Sequence, residues 1–175
     1  MPEEPAGATA VDPATALLEV ARDGGTAVLL GDRDPVGLVS AAAAAARRGF
    51  EHVDARGLRT LEFDELVCGR FADGRWSDGA LTRALQSGAV FLLAHGEALL
   101  DDLRQRTARM FTTRTVLLHG PRAQDDRTVT ATQGCALVLH VDDHQPLLLQ
   151  AQLMTRQFAT RIRADVAGPP PVARR

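Results

Sequence analysis

Apolar residues in this chain come in short blocks, and the spacing within and between the blocks predicts the elements. Ala27-Val28-Leu29-Leu30 is a continuous apolar run bounded by glycines, the length of a strand buried on both faces. Upstream, Asp12-Pro13 places an N-cap acid and a first-turn proline before Leu17, Leu18, Val20 and Ala21, predicting a helix that stops at Gly24-Gly25. Downstream, an Ala-rich segment of high helix propensity runs to Arg47-Arg48-Gly49. Glu51 to Asp54 alternates as a second strand, and Leu61 to Val67 reads as a short helix. Gly69 to Gly79 reads as a polar, glycine-containing loop that carries Phe71 and the single tryptophan, Trp76.

The second half repeats the rhythm. Gly79 to Gly88 predicts a helix, Ala89 to Leu93 a strand, and Glu97 to Phe111 another helix. Thr115 to His119 and Thr128 to Ala131 fit a hairpin across Gly120-Pro121-Arg122. Ala136 to Val141 is a further buried strand, Gln145 to Phe158 a helix and Arg161 to Val166 a last strand. Repeated strand and helix alternation with apolar strands predicts an α/β fold: a three-layer αβα sandwich around a mostly parallel sheet of about five strands. Residues 1–11 read as a disordered segment, 12–168 as the core, and 169–175 as an extended Pro/Arg tail.

Strand, glycine loop and helix over Thr26 to Arg48 form the frame of a phosphate-binding loop. The chemistry of such a loop is GxxxxGK[ST], with a lysine for the outer phosphates and a hydroxyl for magnesium. Counted from Gly31, those positions hold Val36, Gly37 and Leu38. Asp32 and Asp34 would repel a polyphosphate, and Pro35 has no N–H to offer it. The chain contains no Lys, Asn or Tyr, so any mechanism that requires one of them is excluded.

At 175 residues, 45% of them hydrophobic, the chain is one globular domain with enough apolar material for a core. A net charge of −2 gives no electrostatic case for nucleic acid. Cys68 and Cys135 lie among apolar neighbours without CxxC spacing and read as reduced and buried. There is no signal-peptide pattern and no apolar run long enough to span a membrane, so the expected location is cytoplasmic.

Ala84 to Glu97, ALQSGAVFLLAHGE, resembles the AxGGTLFLDEIGE segment of AAA+ ATPases of the sigma-54 activator (enhancer-binding) family. Gly49 to Val53 is similar to that family's PFVxVN strand, Glu65-Leu66 with Gly69 to ELFG, and Gly69 to Gly74 to a shortened GAFTGA loop. Ala136 to Asp142 resembles RVIAATN, Arg161-Ile162 the RL of FREDLYYRL, and Pro170 to Arg175 LPPLRER. The order and spacing of these segments cover residues 26–175. The resemblance implies an AAA+ core, and it also exposes departures. The family's magnesium aspartate and catalytic glutamate fall on Leu93-Ala94, its sensing asparagine has no counterpart, and Ala72 stands at the GAFTGA threonine, which puts sigma-factor contact in doubt. The chain also ends where the family's helical lid begins.

The implied reading is a domain without ATPase activity, a regulatory or scaffolding module for protein interaction that pairs with itself or with another AAA+ protein. Arg161 stands where the resemblance implies an arginine finger, with Arg156 as companion; solvated arginines beside a strand fit the sequence as well. Phe71 and Trp76, with Arg70 and Arg75, make the most plausible contact loop, against simple packing on the core. If nucleotide binds at all, weak ATP or ADP binding would use the backbone of Gly31, Asp32, Arg33 and Gly37. Two other readings stay open: a nucleotide-binding sensor with little or no hydrolysis, and one domain of a larger transcriptional regulator.

His140-Val141-Asp142-Asp143-His144 holds the residue types of a metal site, but an acid cluster at a strand end more often caps the next helix, and no metal is expected. His95 and His119 read as single histidines without a paired acid. Glu97 and Asp101-Asp102 read as first-turn acids that favour the helix dipole.

Overall fold

The computed structural model describes residues 12–31, 34–142 and 160–163. Helix α1, Pro13–Asp23, begins at Asp12, whose carboxylate accepts from the Thr15 amide, and ends at Gly24 in the left-handed conformation. Strand β1 (Thr26–Leu30), helix α2 (Pro35–Ala45) and strand β2 (Phe50–Asp54) follow. Helix α2 stops at Ala45, so Arg47 and Arg48 stand beyond it and Arg47 turns the chain with a positive φ.

A single turn of α-helix, α3 (Thr60–Phe63), passes into a π-helical turn over Asp64–Cys68. The segment expected to be a loop, Gly69 to Gly79, is instead a β-hairpin: β3 (Gly69–Ala72) pairs antiparallel with β4 (Arg75–Asp78). The two connecting residues, Asp73 and Gly74, both have positive φ, the conformation that an Asp-Gly turn supplies and that matches the twist of a hairpin. Helix α4 (Ala80–Ser87) and strand β5 (Val90–Ala94) come next. The following helix, expected from Glu97, is interrupted: a short 3₁₀ turn over Gly96–Ala98 precedes α5, Asp101–Thr113. The expected hairpin forms from β6 (Thr115–Leu118) and β7 (Arg127–Thr130), and β8 (Ala136–Val141) and β9 (Thr160–Arg163) complete the described chain.

Five strands form one parallel sheet in the order β2-β5-β8-β1-β9. Alternate side chains go to opposite faces. Val28 and Leu30 of β1, Phe91 and Leu93 of β5, and Leu137, Leu139 and Val141 of β8 pack with Phe63, Leu81, Leu85, Leu103 and Phe111 from α3, α4 and α5. Ala27, Leu29, Val90, Leu92, Ala136 and Val138 face the other way, against Leu17 and Val20 of α1 and Val39 and Ala43 of α2. The result is the expected three-layer αβα sandwich. Thr26 pairs with Leu137 and Ala27 with Thr160, so β1 lies between two strands from the far end of the described chain. Strand β2 is reached first from β1 but lies three places along the sheet, with β5 and β8 in between, so the chain reverses direction across the sheet between β1 and β8. A sheet of this kind takes its ligand in the crevice at that reversal, beyond the carboxyl ends of the strands.

Residues 1–11, the helix expected over 145–158 and the tail from residue 169 lie outside the described residues. No helix among the described residues is long and apolar enough to cross a membrane.

Candidate functional site

The carboxyl edge of the sheet brings together residues from four connections. Gly31 closes β1 with a positive φ of 124°. Two expected loop residues, Asp32 and Arg33, lie outside the described residues. Asp34 then caps α2: its Oδ1 accepts from the Gly37 amide at 3.0 Å, with Pro35 in the first turn. A β-carbon on Gly37 would crowd the Asp34 carboxylate as it now lies, so a larger residue there would make that side chain shift. The positive end of α2, the place for a phosphate in a phosphate-binding loop, is met by the protein's own acid.

Leu93 and Ala94 end β5 as buried apolar residues. His95 follows in the left-handed region, φ 58° and ψ 46°. At the end of β8 stands His140, 1% exposed. Its Nδ1 accepts from the His95 backbone N–H at 3.0 Å, and its Nε2 lies 2.6 Å from the Gly31 carbonyl oxygen. An amide can only donate and a carbonyl can only accept, so the pattern fixes one neutral tautomer, with the proton on Nε2. Burial pushes the His140 pKa below the ordinary 6.5; the Gly31 carbonyl acts in the opposite direction.

A second set of contacts continues from the first. The two imidazoles meet edge to face with centroids 4.8 Å apart. His95 Nδ1 lies 3.3 Å from Glu97 Oε1, and Glu97 Oε2 accepts from the Asp142 amide at 3.1 Å. His95 therefore has a paired acid two residues on, contrary to the sequence expectation. Glu97 holds a strand end and does not serve as a first-turn acid of α5, a role left to Asp101 and Asp102. His119 is likewise paired, with Asp126 at 3.2 Å.

His95, Glu97 and His140 place ligand-type atoms within 4.8 Å of one another. Hydrogen bonds already occupy both nitrogens of His140 and Oε2 of Glu97, and Glu97 Oε1 lies against His95, so a cation would have to displace contacts the fold makes for itself. Of the metal-type cluster seen in the sequence, His140 turns inward to Gly31, and Asp143 and His144 lie outside the described residues. At the end of β2, Asp54 binds Arg56 through both carboxylate oxygens, and that guanidinium holds its carboxyl below the usual range.

The expected interface residues divide. Phe71 and Trp76 are cross-strand partners in the β3–β4 hairpin, edge to face with centroids 5.3 Å apart. Trp76 is partly buried against the core. An open groove of about 580 Å³ runs beside the hairpin, lined by Leu61, Arg70, Phe71, Leu117 and Pro121 among others. Leu61 and Leu117 are exposed there. Arg161 lies on β9 with its backbone paired to Val28; Arg156 lies outside the described residues.

Cys68 and Cys135 are buried free thiols, as expected, and burial pushes each up to about 11. At about pH 8 both are therefore expected to resist thiol reagents in the native protein and to react at once in denaturant. Rapid native labelling of either residue, followed by mass spectrometry, would contradict the burial described here.

The β3–β4 hairpin and the contact of His140 with Gly31 both escaped the sequence reading. The Asp73-Gly74 hairpin carries a recognisable signal, an Asp-Gly pair between alternating residues. The contact of His140 with Gly31 carries none, because it joins residues far apart in the chain.

No family model and no curated protein matches this chain. Among solved structures, NtrX from Brucella abortus is similar with a TM-score of 0.61 at 13% identity, over 86% of this chain and 34% of that one. NtrX from the same organism in complex with ADP gives 0.61 at 14% identity, over 87% and 35%. A candidate ATPase from Cytophaga hutchinsonii gives 0.57 at 13% identity, over 86% and 44%. The chain spans about a third of the length of NtrX. With the sheet order, these likenesses show a P-loop-like αβα sandwich.

Proposed function

We propose that this chain is an AAA+-like domain that does not hydrolyse nucleotide and works as a regulatory or scaffolding module, related to transcription regulators, that associates with itself or with another AAA+ protein. The observation that carries this reading is the closed carboxyl edge of the sheet. Asp34 occupies the helix end where a phosphate would sit, and His140 spans the crevice between β1 and β8. Lysine is absent from the whole chain, and Leu93-Ala94 stand where the resembling family carries its magnesium aspartate and catalytic glutamate. With its catalytic edge closed, such a fold is kept for its surfaces, and the Phe71 and Trp76 hairpin is the surface assigned to contact.

Calorimetric titration with ATP and with ADP, each with and without magnesium, tests the reading. No saturable heat up to millimolar nucleotide is the expected result. Saturation at micromolar nucleotide would overturn it in favour of a nucleotide sensor, the reading that the ADP complex of NtrX favours. That the chain spans only about a third of NtrX favours a further reading, one domain of a larger regulator.

A further inference from the structure

We propose that His140 is a proton-operated latch: its neutral ring ties the ends of β1, β5 and β8 together, and a second proton on that ring releases the connection after β5. The latch does not depend on whether the domain binds a partner or a nucleotide.

The geometry makes the two ring nitrogens unequal. Nε2 faces the Gly31 carbonyl and keeps its proton in either charge state. Nδ1 faces the backbone N–H of His95, and a proton added there turns an acceptor into a donor pointed at a donor. The His95 bond is thus the one that protonation removes. His95 is also the residue at which release is easiest, because its left-handed backbone is a conformation that non-glycine residues hold only when their surroundings impose it. Once His95 relaxes, the Gly96–Ala98 turn moves with it, and so does the hold of Glu97 on the Asp142 amide. One protonation would therefore loosen two of the three strand ends at the crevice.

The groups that face His140 set the direction. From the turn after β5, the His95 ring opposes a second charge and Glu97 favours it; from its own strand, Asp142 favours it. Strands β1 and β5 contribute no charged side chain, and α1 presents apolar Leu17, Val20 and Ala21 to the sheet. Asp54, held by Arg56, acts on the nearby His95. Burial outweighs the acids, so the latch holds through neutral pH and gives way on the acid side.

The test uses the full chain labelled with ¹⁵N, followed from about pH 8 to about pH 4 through the histidine ring nitrogens and amide hydrogen exchange. At the upper end His140 is expected as the Nε2–H tautomer with a protected His95 amide. As Nδ1 gains its proton, protection of the His95 and Asp142 amides should fall at least about tenfold while Val28, Leu92 and Val138 in the sheet keep theirs. Protonation of His140 without loss of His95 protection would overturn the proposal. So would simultaneous loss of protection throughout the sheet, which is global acid unfolding, or a ring that stays neutral to the lower limit. His95→Gly keeps the backbone N–H and the left-handed turn. It should retain the same pH step, and loss of the step would assign the response to the His95 ring and overturn the proposal equally.

Discussion

Replacing Phe111 with alanine is expected to lower the free energy of unfolding by about 3–5 kcal/mol, the range for deleting a fully buried aromatic side chain. Phe111 is 1% exposed and lies edge to face with Phe91, their ring centroids 6.2 Å apart. It comes from the last turn of α5, and Phe91 comes from β5 near the middle of the sheet. The pair thus joins α5 directly to the sheet, alongside buried Leu103 and Met110 of the same helix. For a domain of this size, such a loss lowers the melting temperature by roughly 10 °C. Denaturant unfolding of Phe111→Ala, Phe91→Ala and the double variant would separate burial from the ring contact, whose coupling should be about 0.5–1.5 kcal/mol. A loss below about 1 kcal/mol in Phe111→Ala would show that α5 does not dock on the sheet as described.

The second large effect is expected at His140. Leucine there removes the partner of the Gly31 carbonyl and of the His95 amide together, and each buried group left unpaired costs about 1–3 kcal/mol, so a total of about 2–6 kcal/mol is expected. The pH dependence has a definite sign. The folded value of His140 lies below the ordinary 6.5 of the unfolded chain. Its stabilising contribution is therefore complete above about pH 6.5 and declines as pH falls through the folded value, because the unfolded state takes up the proton first. Asp54 adds a separate decline, in a window that starts only near its ordinary 3.8. Melting curves recorded from neutral to acid pH should show the histidine step in the wild-type protein and a flatter profile in His140→Leu. An unchanged profile in the variant would mean that the ring is not held neutral by its two partners.

Much of the sandwich was legible because its strands are buried on both faces and its helices carry strong ends. Asp12-Pro13, Gly24 and Gly88 mark helix boundaries through local conformational rules, which need no tertiary information. The Gly69 to Gly79 hairpin was read as a loop because Arg70, Asp73, Arg75, Ser77 and Asp78 make the segment polar, and that polarity hid the alternation and the Asp-Gly turn. The break before α5 was missed for the opposite reason. Leu99 and Leu100 continue an apolar pattern, yet the left-handed His95 and the close packing of Gly96 on Leu139 redirect the backbone there. At the carboxyl edge, sequence placed Gly31 and Gly37 at the correct end of the sheet. It could not show that Asp34 fills the helix end or that His140 crosses to Gly31, because those contacts depend on strand order, and strand order is a property of the whole chain.

The interior position of β1, between β8 and β9, also governs how the molecule can be made. During synthesis β1 leaves the ribosome well before β8 and β9, so both of its hydrogen-bonding edges must wait for strands much later in the described chain. The pairing of β2 with β5 becomes available sooner, so the sheet can start at one margin while the apolar Ala-Val-Leu-Leu run of β1, far across it, stays bare. Pairings this distant in sequence fold slowly, and unpaired apolar strand edges are sites of aggregation. Yield in cells should accordingly depend on the rate at which the last third of the chain is delivered, and on chaperone shielding of β1 until it arrives.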